Sequence, residues 1–262
     1  MRGYLIYERA DATVNARFIQ MLQEEATAQQ IDLILIFAEE FEQHSPSIDF
    51  VWNRSRNAHI GAHYEQLGIR VFNNSETNAI ANHKQLATEF VNTLGIQTVP
   101  CYAELSAIAS FPVVLKTVDG HGGQEVVLCH KMEELHAAKA SFKERMTIIQ
   151  PFIKSDAQDV RIWMLGNSVL GAVLRSGANS FKSNYTLGGS IKKFELPEEL
   201  LQAVLSITTA LKSDYIGIDF IKGVDGQFYF NEIEDPVGAR SYYDLFGHDL
   251  ASKLMIYIKN HL

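Results

Sequence analysis

The sequence predicts a mixed fold, an α/β layer followed by α+β units, and three patterns carry that reading. Over the first 75 or so residues, apolar runs alternate with helical spacing, as strand, helix and strand do in an α/β layer. After Phe111 the apolar runs come in pairs joined by glycine turns, in FPVVLKTVDGHGGQEVVLCH, DVRIWMLGNSVLGAVLRSG and IGIDFIKGVDGQFYFNEIE, the mark of antiparallel pairing. Helix-spaced stretches fall between these pairs, so each sheet has something to bury its apolar face against.

In chain order, GYLIYE is a short strand, Ala12 to Gln29 has helical spacing at Val14, Phe18, Met21 and Leu22, and IDLILIFAEE is a second buried strand. After VWN at 51–53, Ala58 to Leu67 is a helix stopped by Gly68, IRVFN is a strand, and Ser75 and Asn78 punctuate a short helix. His83 to Leu94 is a helix with Leu86, Phe90 and Leu94 on one side, ending at Gly95, and TVP opens a strand, glycine loop and returning strand around Lys116. Lys131 to Phe142 is helical and TIIQPFI is a strand. Two strands then meet at Gly166-Asn167-Ser168, Pro197 to Leu211 is a helix, a hairpin follows, and Leu250 to Ile258 closes the chain as a helix. No internal repeat or low-complexity linker interrupts this.

Composition narrows the class. At 262 residues, with 47% hydrophobic and 10% aromatic residues, the chain is a folded globular protein long enough for two or three subdomains. The net charge of −8 gives no sequence-wide drive towards nucleic acid or an anionic membrane, so a polyanion must be gripped locally. The two cysteines, Cys101 and Cys129, are too few for a disulfide framework and suit a reducing compartment. No apolar leader opens the chain and no run approaches the ~20 apolar residues of a membrane span, so the cytoplasm is the expected compartment.

The stretch FYFNEIEDPVG ends a buried-looking strand in acids. If Asp225-Gly226 is the two-residue turn that such a dipeptide favours, Val224 faces Gln227 and Asp219 lies opposite Glu232. Alternation then puts Ile221, Phe228 and Phe230 on one face with Asp219, Glu232 and Glu234, apolar near the turn and acidic at the far end. Directly opposed like charges cost up to about 1 kcal/mol, so the arrangement calls for a cation or raised pKa values. All-oxygen ligands in such a cluster suit Mg2+, with Mn2+ as an alternative. On this reading, neutralising Asp219 or Glu232 leaves the fold intact or slightly more stable. The competing reading is a register slip that turns the acids to solvent.

Lys116 offers the complementary charge, on a strand face with Val114 and Val118 and running into Asp119-Gly120-His121-Gly122-Gly123. Glycines let backbone N–H groups approach an anion, so a strand lysine beside such a loop suits a phosphate grip, although glycines make ordinary hairpin turns too. Neither a GxxxxGK[ST] loop nor a GxGxxG fingerprint is present, and the histidines lack metal spacing and fit loops or solvent.

With these residues in place, the chain resembles ATP-grasp proteins of the RimK-like carboxylate-amine ligase branch, which includes the ribosomal protein glutamate ligase. The resemblance runs from about Asn53 to Gly238 through NRSRNAHIGAHYEQLGIRVFNN, HKQLATEFVNTLGIQTVP and FPVVLKTVDGHGGQEVVL. Its most specific piece is DVRIWMLGNSVLGAVLRSG followed by FKSNYTLGGS. It implies an N-terminal α/β domain over 1–80 and two ATP-grasp subdomains over 81–150 and 151–262 that clasp a nucleotide.

By that resemblance, ATP phosphates fall to Lys84 and Lys116 with Gly120, His121, Gly122 and Gly123. Gln150, Pro151, Phe152 and Ile153 form a hinge against the adenine, and Asp159 lies near the nucleotide. Asp219, Glu232 and Glu234 hold the metal, and Arg161, Arg175 and Asn184 are catalytic. Arg54, Arg56, Lys182 and Arg240 are candidates for gripping a carboxylate substrate. Without the family, Lys84 reads as a solvated helix lysine, Phe152 and Ile153 as core, and the arginines as partners of surface acids. Strand pairing alone brings Arg161 and Arg175 together, where a phosphate or substrate carboxylate would relieve their repulsion.

The chain departs from the family in three places. Glu234 stands where Asn is usual in E-x-N-x-x-P-G, with Pro236 one residue early; Pro151 stands where Glu is common in the hinge; Leu187 stands where Arg is frequent. The implied activity is ATP- and Mg2+-dependent joining of a carboxylate to an amine, amino acid or peptide, through an acyl phosphate. No nucleic acid or membrane takes part, and self-association is left open. A kinase on the same grasp and a nucleotide-binding sensor without turnover are the rivals.

Overall fold

The computed structural model describes residues 1–123, 125–177 and 189–262. The chain opens with a parallel sheet of β1 (Arg2–Tyr7), β2 (Asp32–Phe37), β3 (Phe50–Asn53) and β4 (Arg70–Phe72), in the order β2-β1-β3-β4. The connections leave β1 to one side for β2 and then cross to the other for β3. In open α/β sheets, such a reversal leaves a crevice at the carboxyl ends of the strands. Tyr7 ends β1 there, and Asn53 leads β3 into Arg54, Ser55 and Arg56.

The helical stretch after β1 is broken into α1 (Arg9–Val14) and α2 (Ala16–Ala28) at Asn15, whose side-chain amide donates to the Asp11 carbonyl at 2.7 Å. The break turns Val14 to solvent, while Leu22 is buried as expected, Phe18 and Met21 pack partly buried against the same core, and Ile19 and Ala26 join them. α3 (Ala58–Gln66), α4 (Ser75–Ala81) and α5 (Lys84–Thr93) follow. His83 caps α5, its Nδ1 accepting from the Leu86 N–H at 3.3 Å. α5 fully buries Ala87, Thr88 and Val91; of the predicted stripe Phe90 and Leu94 pack partly buried against the same core, while Leu86 lies exposed.

A small antiparallel sheet comes next, in the order β6-β5-β7, with β5 (Val113–Thr117), β6 (Val126–Cys129) and β7 (Thr147–Pro151). Val113, Leu115, Cys129 and Ile149 pack on Leu135 of α6 (Met132–Ser141), so alternation leaves Val114, Lys116 and Gln150 on the opposite face. TVP is less than a strand: Thr98 makes one isolated bridge, to Phe230.

The largest sheet is antiparallel, in the order β10-β9-β8-β11-β12, from β8 (Gln158–Leu165), β9 (Ser168–Ser176), β10 (Ser190–Lys193), β11 (Tyr215–Lys222) and β12 (Phe228–Glu234). One face, with Val160, Ile162, Met164, Ile216, Ile218 and Phe220, buries against α5 and against Leu200, Val204 and Ile207 of α7 (Glu198–Leu211). On the other face Trp163 and Tyr215 join the core of the N-terminal layer, with Leu22 and with Leu254 and Met255 of α9 (Leu250–Asn260). Further along that same face the residues are charged. A further helix, α8 (Arg240–Phe246), was not expected; its Tyr242 and Phe246 pack against Trp163.

The final hairpin pairs Asp219 with Glu232 as predicted, but by another route. Gly223, not Val224, faces Gln227, so the loop has one residue more than a two-residue turn, and Gly226 sits in it at φ +81°. A bulge then falls between the Phe220–Phe230 and Asp219–Glu232 pairs, which restores the register at the acids. Consequently Phe228 and Phe230 pair with Lys222 and Phe220 and pack in the apolar core, not on the acid face. Ile221 stays with the acids. The residue inserted by the bulge is Asn231.

Candidate active site

The charged face of the large sheet is built by register. β8 pairs Asp159 with Arg175 of β9, and pairs Arg161 with Asp219 of β11, and Asp219 in turn pairs with Glu232 of β12. Four of these side chains, Asp159, Arg161, Arg175 and Asp219, are buried. Arg161 grips Asp219 with two bonds, Nε to Oδ1 at 2.8 Å and Nη2 to Oδ2 at 2.6 Å, and its Nη2 also reaches Glu234. Arg175 holds Asp159 the same way, with both bonds at 2.6 Å, and adds a third to Asp219 Oδ2 at 2.6 Å. The two guanidiniums do meet, as expected, but two aspartates already relieve their repulsion.

Titration follows from this geometry. Burial works against the charge of Asp219, yet the pull of Arg161 and Arg175 and their hydrogen bonds hold its carboxyl below the usual range. Glu234 keeps only one arginine contact, so burial, with Asp219 and Glu232 adding to it against the pull of Arg161, pushes it up to about 7. Lys116 is buried and donates to Asn231 Oδ1 at 2.9 Å; desolvation brings its ammonium down to about 8, with Glu232 opposing and Lys84 reinforcing that fall.

Two clefts open above this face. The first lies between the small sheet and the large one, lined by Lys84, Val114, Lys116, Gly120, His121, Gly123, Gln150 to Ile153, Asp159, Ile221, Asn231 and Glu232. The Gln150 amide is turned to the Val99 carbonyl at 2.9 Å, and the Phe152 N–H to the Pro112 carbonyl at 3.1 Å, which fixes the hinge strand. The second lies at the crevice of the N-terminal sheet, lined by Tyr7, Asp11, Asn15, Arg54, Arg56, Asn82, Gly122 and the segment from Glu232 to Gly238. Lys84, Gly120, His121 and Glu232 line both. The clefts therefore meet at the acids and the head of the glycine loop. Lys84 bridges that junction, donating to the Gly120 carbonyl and standing 3.8 Å from Glu232.

The acidic strand end is fastened to the N-terminal layer by amides. Asn73 and Asn78 donate to the two carboxylate oxygens of Asp235 at 3.0 and 2.9 Å, and Asn82 donates to its carbonyl at 2.6 Å. Arg54 donates to the Val237 carbonyl at 2.9 Å and to Tyr7 Oη at 2.6 Å, its guanidinium surrounded by the rings of Tyr7, Phe18, Trp52 and Tyr215. Burial pushes Asp235 up to about 6, against the two asparagine bonds. An acid raised on folding binds its proton more tightly in the native state, so this group costs stability as pH rises from its ordinary 3.8 to about 6, by ~3 kcal/mol in all. Asp235→Asn is expected to lose that slope, so the difference between variant and wild-type denaturant midpoints should change across the window. A difference that stays flat across it would place Asp235 in solvent.

Other expected residues fall outside this constellation. Arg240 opens α8, is exposed and lines neither cleft. Arg56 lines the second cleft, bonded to Asp11 at 2.6 Å. Lys182, Asn184 and Leu187 lie outside the described residues.

For a cation, Asp219, Glu232 and Glu234 offer one oxygen each, all within 4.8 Å of one another. A carboxylate has about four lone-pair positions, and the two arginines take three of those on Asp219, leaving one on Oδ1. Three hard oxygen donors, two of them partly open, fit a divalent ion of the Mg2+ or Mn2+ kind beside Arg161.

Residues 77–258 match the family model of the RimK-like ATP-grasp domain, about two thirds of the chain. The chain belongs to that family. A Mycoplasma pneumoniae protein described as an uncharacterized MG011 homolog is 25% identical over 92% of this chain and 86% of its own length. The glutamate–LysW ligase ArgX of Sulfolobus acidocaldarius is 23% identical over 79% of this chain and 78% of its own. The D-alanine–D-alanine ligase of Bacillus anthracis superposes with a TM-score of 0.78 at 18% identity, covering 99% of this chain and 96% of that one, which shows the shared ATP-grasp fold. With relatives of this kind, the RimK-like chain is an ATP-dependent ligase forming carbon–nitrogen bonds.

Sequence reasoning missed Tyr7, Asp11 and Asn15 in this RimK-like chain, although the strand reversal at β1 marks where they would gather. It also missed Asn231, whose exposure to Lys116 depends on the bulge, and the Asn73, Asn78 and Asn82 clamp, whose partners are more than 150 residues away.

Proposed function

We propose that the chain joins a carboxylate to an amine through an acyl phosphate, with ATP in the first cleft and the carboxylate in the second. The observation that carries this is the meeting of the two clefts at Lys84, Gly120, His121 and Glu232, which would bring a γ-phosphoryl group and an acid to one point. Lys84 and Lys116 hold phosphate oxygens, the glycine loop covers them, and the strand from Gln150 to Ile153 faces the adenine. Asp219, Glu232 and Glu234 would hold Mg2+, whose charge offsets that developing on the transferred group. Arg161 and Arg175 lie behind the acids, keep Asp219 ionised, and supply fixed positive charge under the phosphoryl position. Arg54 and Arg56 face the acid substrate, an amino acid or peptide in this reading.

Screening the amino acids and acidic peptides for ADP and orthophosphate release should give turnover only with an acid and an amine together. An acid labelled with heavy oxygen in its carboxylate should pass one labelled oxygen to the released orthophosphate, because the acyl C–O bond breaks when the amide forms. A phosphorylated substrate without orthophosphate would make the protein a kinase instead.

A further inference from the structure

His121 is shared by both clefts, and it is a base that no hydrogen bond or ion pair among the described residues engages. It stands in the glycine loop and shares the first cleft with Lys84, Lys116 and Glu232 and the second with Asp11, Arg56 and Glu234. The acids around it are committed: Asp11 to Arg56, Asp119 and Glu125 to Arg145, Asp159 to Arg175, Glu234 to Arg161. Glu232 faces Lys84 and is one of the three oxygen donors of the cation cluster. No hydrogen bond or ion pair holds the His121 ring among the described residues.

Building on the ligase reading, we propose that His121 takes a proton from the ammonium form of the amine substrate, so that the free amine can attack the acyl phosphate. Amines of amino acids and peptides are largely protonated at neutral pH, with pKa values from ~8 for an α-amino group to ~10.4 for lysine. In this step the amine nitrogen bonds to the acyl carbon, the carbon–oxygen bond to phosphate breaks, and orthophosphate leaves with that electron pair. The ammonium nitrogen sheds two protons on the way to the amide: the first passes to an unprotonated ring nitrogen of His121 and then to solvent, which frees the lone pair for attack, and the second leaves with orthophosphate as HPO4(2−). The groups facing the ring are Arg56 and Asp11 of the N-terminal layer, Lys84 at the head of α5 and Glu125 at the end of the same loop. Partial burial, with Arg56 and Lys84, keeps the imidazole below its ordinary pKa against the pull of Asp11 and Glu125, so it is unprotonated when needed.

A positioned base of this kind contributes about 10²- to 10⁴-fold. The test compares wild type with His121→Gln, using ATP, Mg2+ and the acid and amine that release most orthophosphate in the screen above, and in parallel hydroxylamine in place of the amine. Hydroxylamine is already unprotonated at neutral pH and captures an acyl phosphate as the hydroxamate without a base. Glutamine keeps the polarity of the side chain but takes up no proton. The ratio of amide to hydroxamate is expected to fall by roughly 10²-fold in the variant at neutral pH, and to recover as the pH approaches the amine's own pKa. A residue that only steadied ATP would lower both products together, so an unchanged ratio overturns the proposal. Absence of hydroxamate from the wild type would instead overturn the ligase reading itself.

Discussion

Asp219→Asn is expected to lose ATP turnover and to destabilise the fold by about 3 kcal/mol, while Glu232→Gln loses turnover with stability held within ~0.5 kcal/mol. The opposed acids alone suggest the reverse for Asp219, since removing one of two facing charges relieves repulsion. The structure changes the sign. Asp219 is fully buried and receives three bonds from Arg161 and Arg175, so an amide there turns a donor towards guanidinium and leaves two buried cations short of one anion. Glu232 keeps a quarter of its side chain exposed, has Lys84 only at 3.8 Å, and acts on the buried Lys116 through space, so its loss breaks no buried hydrogen-bonded ion pair and leaves Lys116 free to shed its proton. Because the pKa of Asp219 is depressed on folding, its contribution is full above the usual carboxylate range and disappears as pH falls through the native value. Urea titrations of both variants, at neutral and at acid pH, read this directly. Equal stability of Asp219→Asn and wild type at neutral pH would mean that the arginines do not depend on it.

What could be read from residue order follows the range of the interaction. Local patterns placed most helices and strands, because periodicity and capping act within a few residues; the break at Asn15 and the exposure of Val14 and Leu86 were lost because burial is decided by what packs against a helix. The hairpin shows the limit most clearly. A two-residue turn leads to the Asp219–Glu232 pair only because the longer loop and the bulge each shift the register by one, in compensating directions. The pairing of the acids was thus legible, and the faces of Phe228 and Phe230 were not. Likewise strand alternation showed that Arg161 and Arg175 share a face, but their partners Asp159 and Asp219 come from the same strand pair and from a strand 58 residues on, a combination that only the sheet order fixes. The amide clamp on Asp235 lies beyond any local signal, since asparagines near a sheet crevice look like turn residues until the opposite layer arrives.

The largest effect on ion dependence is expected at Glu234, where the chain leaves its family's usual asparagine. Its carboxyl, pushed up to about 7 by burial and by the neighbouring acids, must lose its proton to serve as a ligand, so a divalent ion and a proton compete for it. The sign is fixed: as pH falls through about 7 the protonated form gains, and the Mg2+ concentration for half-maximal turnover rises by up to tenfold per pH unit. Glu234→Asn, which offers a carbonyl oxygen with no proton to displace, should retain activity and need more Mg2+ at high pH, but with a requirement that no longer climbs through this window. It also leaves Arg161 one anion short, a contact the amide oxygen keeps only as a neutral bond. Glu234→Ala should lose most activity, because neither oxygen nor contact remains. Magnesium titrations of the three proteins at pH values on both sides of the window decide the matter: if Glu234→Ala follows wild type throughout, Glu234 is no ligand, and its bond to Arg161 is the whole of its role.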